Sequence, residues 1–155
     1  MFTVNRMWLQ TVAALTLIGF ISMTYAADGL TAVKSASSVS DTATKLEAVL
    51  AEKGMKVFAR INHQKGAESV GESLRPTELV IFGNPKVGTK LMQCAQSAGI
   101  DLPMKALIWE DENGDVWLGY NDSAYLQGRH KMEGCDGVLE KVSGALNAFA
   151  TAATS

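Results

Sequence analysis

Two histidines, His63 and His130, are the residues of this 155-residue chain best suited to move protons near neutral pH. With a carboxylate such as Glu110 they could form an acid–base pair or hold a metal ion. No HExxH run and no close pairing of histidines supports a metal, so no metal site is expected. Each histidine follows a regular element, in Ile61-Asn62-His63 and Arg129-His130, and a cap or turn role is the simpler reading. Gly83 to Lys90 reads GNPKVGTK and resembles a phosphate-binding loop. It fails as one because Thr89 precedes Lys90 and Pro85 removes a cradling N–H. Asn84 and Pro85 still mark a helix start, where free N–H groups favour an anion; a tight strand-to-helix cap is the plainer alternative.

Cys94 and Cys135 are the only cysteines. They are not a CxxC pair, which argues against thioredoxin-like redox chemistry. In an oxidising compartment a disulfide between them is preferred to two separate buried thiols. Cys94 as a nucleophile with His130 as base is set aside, because it falls on the apolar side of a helix. Asp101 and Trp109-Glu110-Asp111 supply carboxylates, while Asp111, Glu112 and Asp115 read as a solvated hairpin tip. No GxSxG run is present. The methionines fill a core rather than bind copper or haem. The residues name no cofactor.

The elements that must position these groups begin after an apolar leader. Arg6 precedes the mostly apolar stretch Trp8 to Ala26, which ends in Thr24-Tyr25-Ala26, small enough for a signal peptidase. Residues 1–26 are expected to be a secretory signal peptide and 27–155 one domain, periplasmic or secreted. The alternative is an uncut membrane anchor, the only membrane contact foreseen. Composition is that of a globular protein, 47% apolar and 19% charged. A net charge of −2 gives no broad basic surface for nucleic acid.

Residues 30–36 suit an opening strand. Ser38 with Asp41 starts a helix whose face is Val39, Ala43, Leu46 and Leu50, and Gly54 ends it. Met55 to Asn62 alternates as a strand, with Val57, Ala59 and Ile61 on one side. Ala67, Val70, Gly71 and Leu74 suggest a short helix before Pro76. Thr77 to Gly83 is a strand with a continuous apolar run, as if covered on both faces. Leu91, Met92, Ala95 and Ala98 line the next helix, stopped by Gly99. Met104 to Glu110 and Val116 to Tyr120 form a hairpin around Asn113-Gly114. A short helix over Asp122 to Arg129 precedes a last one over Asp136 to Ala150. Hairpin order excludes a doubly wound sheet. The expected fold is α+β: a two-layer α/β sandwich, its sheet mixed or antiparallel with helices on one face. A second copy would cover the other face near Trp109, Trp117 and Tyr120.

Over roughly Ala32 to Ala148 the chain resembles a bacterial and archaeal family, domain of unknown function 302. The resemblance is carried by Lys53-Gly54, Val57-Phe58-Ala59-Arg60-Ile61, Leu74-Arg75-Pro76-Thr77-Glu78-Leu79 and Phe82-Gly83-Asn84-Pro85-Lys86-Val87-Gly88-Thr89. Leu91-Met92-Gln93, Asp101-Leu102-Pro103, Trp109-Glu110-Asp111, Tyr120-Asn121-Asp122 and Arg129-His130 complete it. It implies a compact dimeric α/β sandwich and no activity. The leading expectation is a periplasmic ligand-binding or accessory module. Its pocket would gather His63, Asn84, Pro85, Glu110, Asn121 and His130, polar residues at strand ends and helix starts. The alternatives are an acid–base enzyme using His63 or His130 with Glu110, and a homodimeric interaction protein.

Overall fold

The computed structural model describes residues 29–155, so the expected leader, 1–26, lies outside the described residues. The elements are β1 (Leu30–Ser35), α1 (Val39–Glu52), β2 (Lys56–Asn62), α2 (His63–Glu68), β3 (Thr77–Gly83) and α3 (Pro85–Cys94). Then come a 3₁₀ turn (Gln96–Ile100), β4 (Met104–Glu110), β5 (Val116–Asn121), α4 (Ser123–His130) and α5 (Asp136–Thr154). Local chemistry sets the helix starts. The Asp41 N–H donates to Ser38 Oγ at 3.1 Å, the Lys86 N–H to Asn84 Oδ1 at 3.0 Å, and the Tyr125 N–H to Asp122 Oδ1 at 2.6 Å. Gly54 ends α1 at φ +68°, where a Cβ would be strained.

The five strands pair antiparallel throughout, in the order β1-β5-β4-β3-β2. One face carries Val80, Phe82, Ile108 and Leu118, all buried, with Leu46 and Leu50 of α1 and Leu146 and Phe149 of α5 in the same core. Phe82 and Phe149 meet edge-to-face with ring centroids 6.3 Å apart, a geometry that suits their quadrupoles. The chain is therefore an α+β two-layer sandwich. The other face stays half open. Along β3 only Glu78, Val80 and Phe82 are buried, so that strand is covered on one face rather than two. On the open face Trp109 lies across Gly119, where a Cβ would come within 2.9 Å of its ring.

Four local expectations change. A bulge at Phe58 breaks the alternation of β2: Val57 pairs with Phe82, but Ala59 pairs with Ile81. Val57 thus shares the helix face with Phe82, while Ala59 and Ile61 fall on the open face. Second, α2 ends at Glu68, and Val70 and Leu74 are exposed rather than lining a helix. Third, α3 stops at Cys94 because Ala95 is extended at φ −151°, so Gly99 is not the stop, and Met92 within the helix is exposed. The last helix also continues past Ala150 to Thr154.

The bulge turns Arg60 toward α1. Its guanidinium reaches Glu78 and Glu47, and donates to the Ser40 carbonyl at 3.0 Å. The hydrogen bond to Glu78 holds the Arg60 pKa above its ordinary value, against the opposing effect of burial. At the hairpin tip, Asp111 is not merely solvated. It accepts from the Asn113 and Asp115 N–H groups and from Trp117 Nε1, each at 2.9 Å. The Trp117 bond is the main reason its carboxyl lies below its ordinary value of 3.8.

Replacing Arg60 with Ala leaves the Glu78 side chain, 8% exposed, charged and without its cation. We expect a loss of about 3 kcal/mol in urea unfolding, the low end for a broken buried pair because Arg60 itself is 25% exposed. The second expectation concerns acid. A depressed folded pKa stabilises above the unfolded value and loses that contribution as pH falls through the folded one. The melting-temperature gap between the native protein and Asp111→Asn should therefore be steady from about pH 5 upward and narrow below about pH 4. A gap that does not change with pH would count against a charged role for Asp111.

Candidate functional site

Strand register divides the six expected site residues between two ends of the sheet. Glu110 closes β4 and is opposite Val116, and β2 delivers His63 to the same end. Asn84 and Pro85 follow β3 at the other end, as does Asn121, opposite Leu30. His130 also belongs there, because it bonds Asp101, just before β4. A seven-residue strand separates the ends by about 20 Å. The six residues do not form one pocket, and His130 and Glu110 cannot work as an acid–base pair. His63 is exposed, and among the described residues no hydrogen bond joins it to Glu110.

His130 has different partners from those expected. Its side chain is only 5% exposed. Nε2 lies 2.6 Å from Asp101 Oδ2, and Nδ1 lies 3.0 Å from Ser97 Oγ. With the ring neutral, Nε2–H donates to the carboxylate and Nδ1 accepts from the hydroxyl. Asp101 also holds Arg129 Nε at 3.3 Å, and Arg129 donates to Tyr125 Oη at 2.8 Å. The Tyr125 hydrogen bond, then the Asp101 charge, raises the Arg129 pKa. Beside this cluster Cys94 and Cys135 are joined as a disulfide, with Cα atoms 6.3 Å apart, linking the end of α3 to the start of α5. Sequence reasoning noted Asp101 but missed Ser97. They stand 29 and 33 residues from His130, and no spacing rule connects them.

The same end of the sheet holds an apolar cleft of about 470 Å³ between the last residues of β3, α3 and α5. Phe82, Met104, Leu146 and Phe149 line it, and Asn84 and Pro85 stand on its edge. The Phe58 bulge brings that ring to the same cleft, 47% exposed. Bulges commonly re-aim a side chain in this way. Asn84 serves here as the α3 cap, so its side chain already holds the Lys86 N–H. At the opposite end a polar cleft includes Arg60, Asn62, Lys65, Glu78 and Glu110. Its charges are largely neutralised internally by the Arg60–Glu78 pair. Among the described residues no three His, Cys, Asp or Glu side chains cluster so as to hold a metal.

A five-stranded antiparallel sheet with helices on one face, and an apolar cleft at one end, defines the class structurally. The chain belongs to the family described as Domain of unknown function DUF302, whose model matches residues 31–149. A crystal structure of an uncharacterized conserved DUF302 protein from Bacillus stearothermophilus is similar in fold. Its TM-score is 0.74, with 18% identity over 83% of this chain and 100% of that one. The chain is also 49% identical over 104 residues to Fluoride-specific ion channel FluC 1 of Brucella suis biovar 1 (strain 1330). That match takes in 67% of this chain and 41% of the relative. A similar match, covering 38% of the relative, is to Fluoride-specific ion channel FluC 2 of Brucella melitensis biotype 1. The chain thus spans about two fifths of the length of these curated relatives. Only residues 1–28 lie outside the described domain, so most of the 104 matched residues belong to it. Among the described residues no helix is long and apolar enough to cross a membrane.

Proposed function

We propose that this chain is an exported accessory module that binds a small apolar molecule in the cleft between β3, α3 and α5. The observation that carries the proposal is the cleft itself. Its volume, about 470 Å³, falls in the range of ligand pockets, and its walls are almost wholly apolar. Such walls gain from exchanging water for a ligand, since burial contributes about 25 cal/mol per Å² of apolar surface. Export is supported by the apolar stretch ending at Thr24-Tyr25-Ala26 and by the Cys94–Cys135 disulfide. The accessory role is supported by the Brucella relatives. They join a similar segment to a longer chain named as an ion channel, while the described domain here has no spanning helix. A second copy over the open sheet face, against Leu79, Leu107 and Trp109, completes the proposal; Tyr120, expected on that face, pairs with Ala106 and belongs to the helix-side core instead.

A neutral fluorescent naphthylamine tests the cleft. The purified protein should bind it with enhanced emission. Ala145→Trp, which puts an indole into the cleft from α5, should weaken binding at least about tenfold while leaving the melting temperature within a few degrees. Gly88→Leu, from α3, should do the same. Undiminished binding by both variants would place the apolar site elsewhere.

The Ser97–His130–Asp101 chain favours a second reading, a serine hydrolase. The order of groups matches an activated serine, with the two ring nitrogens exchanged. That reading requires Ser97 to be labelled by a fluorophosphonate probe, with labelling lost in His130→Ala. An unlabelled Ser97 in the native protein discards it and leaves the cluster as a tie between α4 and the 3₁₀ turn.

A further inference from the structure

The rim of the apolar cleft carries a charge pattern that its interior does not explain. Lys86 and Lys90 of α3 and Lys141 of α5 all line it, and no Asp or Glu is among its lining residues. The chain as a whole has 16 acidic and 14 basic residues, so composition does not supply a rim of one sign. All three lysines are exposed, and among the described residues none of them forms an ion pair. Lys56, which does not itself line the cleft, holds its ammonium 5.1 Å from the centroid of the exposed Phe58 ring, which does. Behind this rim lie Phe82, Met104, Leu146 and Phe149.

An apolar interior and a cationic rim select opposite ends of one molecule. A neutral hydrocarbon satisfies the walls and leaves the lysines unused. A small hydrophilic anion satisfies the lysines and gains nothing from the walls. We infer that the cleft takes a monomeric single-chain amphipathic anion, with its alkyl tail inside and its head group among Lys86, Lys90 and Lys141. This rests on the cleft being the binding site, as proposed above. The rim lysines stay hydrated, so they contribute mainly orientation and preference for charge. The tail supplies most of the affinity, about fourfold for each methylene buried.

Calorimetric titration with dodecanoate, decanoate and dodecanol, all as monomers below their aggregation limits, tests this. The protein should prefer dodecanoate to dodecanol, and should bind decanoate about fifteenfold more weakly than dodecanoate. The combined variant Lys86→Met, Lys90→Met, Lys141→Met should lose at least about tenfold for dodecanoate, and nothing for dodecanol. Its three positions are exposed, and an unchanged melting curve checks that it is folded. Equal affinity for dodecanol and dodecanoate overturns the anion inference while the apolar cleft stands. No binding of either ligand overturns both. Association with anionic phosphatidylglycerol vesicles, without any binding of monomers, replaces the inference with a membrane surface.

Discussion

The packing of α1 and α5 against a single face of the antiparallel sheet is the constraint on which the other features depend. It buries Val80, Phe82, Ile108 and Leu118 beneath Leu46, Leu50, Leu146 and Phe149. An antiparallel sheet tolerates one covered face and one open face. Two long helices supply most of the cover, with Leu91 of α3 and Leu126 of α4 added to the same core. Near the last residues of β3 their cover is incomplete, and Phe82 and Phe149 are shared between the core and the wall of the cleft. The cleft is thus a continuation of the core to the surface.

The bulge at Phe58 has two consequences. One extra residue in β2 exchanges the faces of Ala59 to Asn62. Arg60 then points to the helix layer, where it neutralises the buried Glu78 and ties β2 to α1 through Ser40 and Glu47. Phe58 itself leaves the regular alternation and stands at the cleft. A regular strand would place Arg60 among open-face residues and leave Glu78 without its cation. The same irregularity therefore serves stability at one end of the sheet and shapes a surface at the other.

The polar residues are likewise sorted by the sheet. Asp101, His130, Ser97 and Arg129 form one hydrogen-bonded group near the start of β4, next to the disulfide. Glu110 and Glu78 belong to the far end. Membership of the DUF302 family and the similarity to the Bacillus stearothermophilus structure agree with this arrangement at the level of fold. The Brucella matches place a related segment inside longer proteins, which gives the accessory reading its setting.

Local chemistry was legible without coordinates. Ser38 and Asn84 cap the helices they were expected to cap, because a side-chain oxygen next to an apolar periodic run has one nearby set of N–H donors to satisfy; Asp122, read as the first residue of its helix, caps it in the same way. The hairpin around Asn113-Gly114 arises from turn geometry in the same way, whereas the one-sided burial of β3 was hidden by its continuous apolar run. The bulge at Phe58 was not legible, since an inserted residue leaves the local alternation of Val57, Ala59 and Ile61 unchanged and shows only in pairing with β3. Nor was the end of α3 at Ala95, where the apolar spacing continues but the backbone extends. The site depended most on tertiary structure. Ser97 and Asp101 meet His130 across some thirty residues, and Lys86 and Lys141 share a rim across two helices, because sheet order and helix packing bring them together. Residue type and spacing determine which groups can cap, turn or alternate; only the folded register decides which of them face the same cleft.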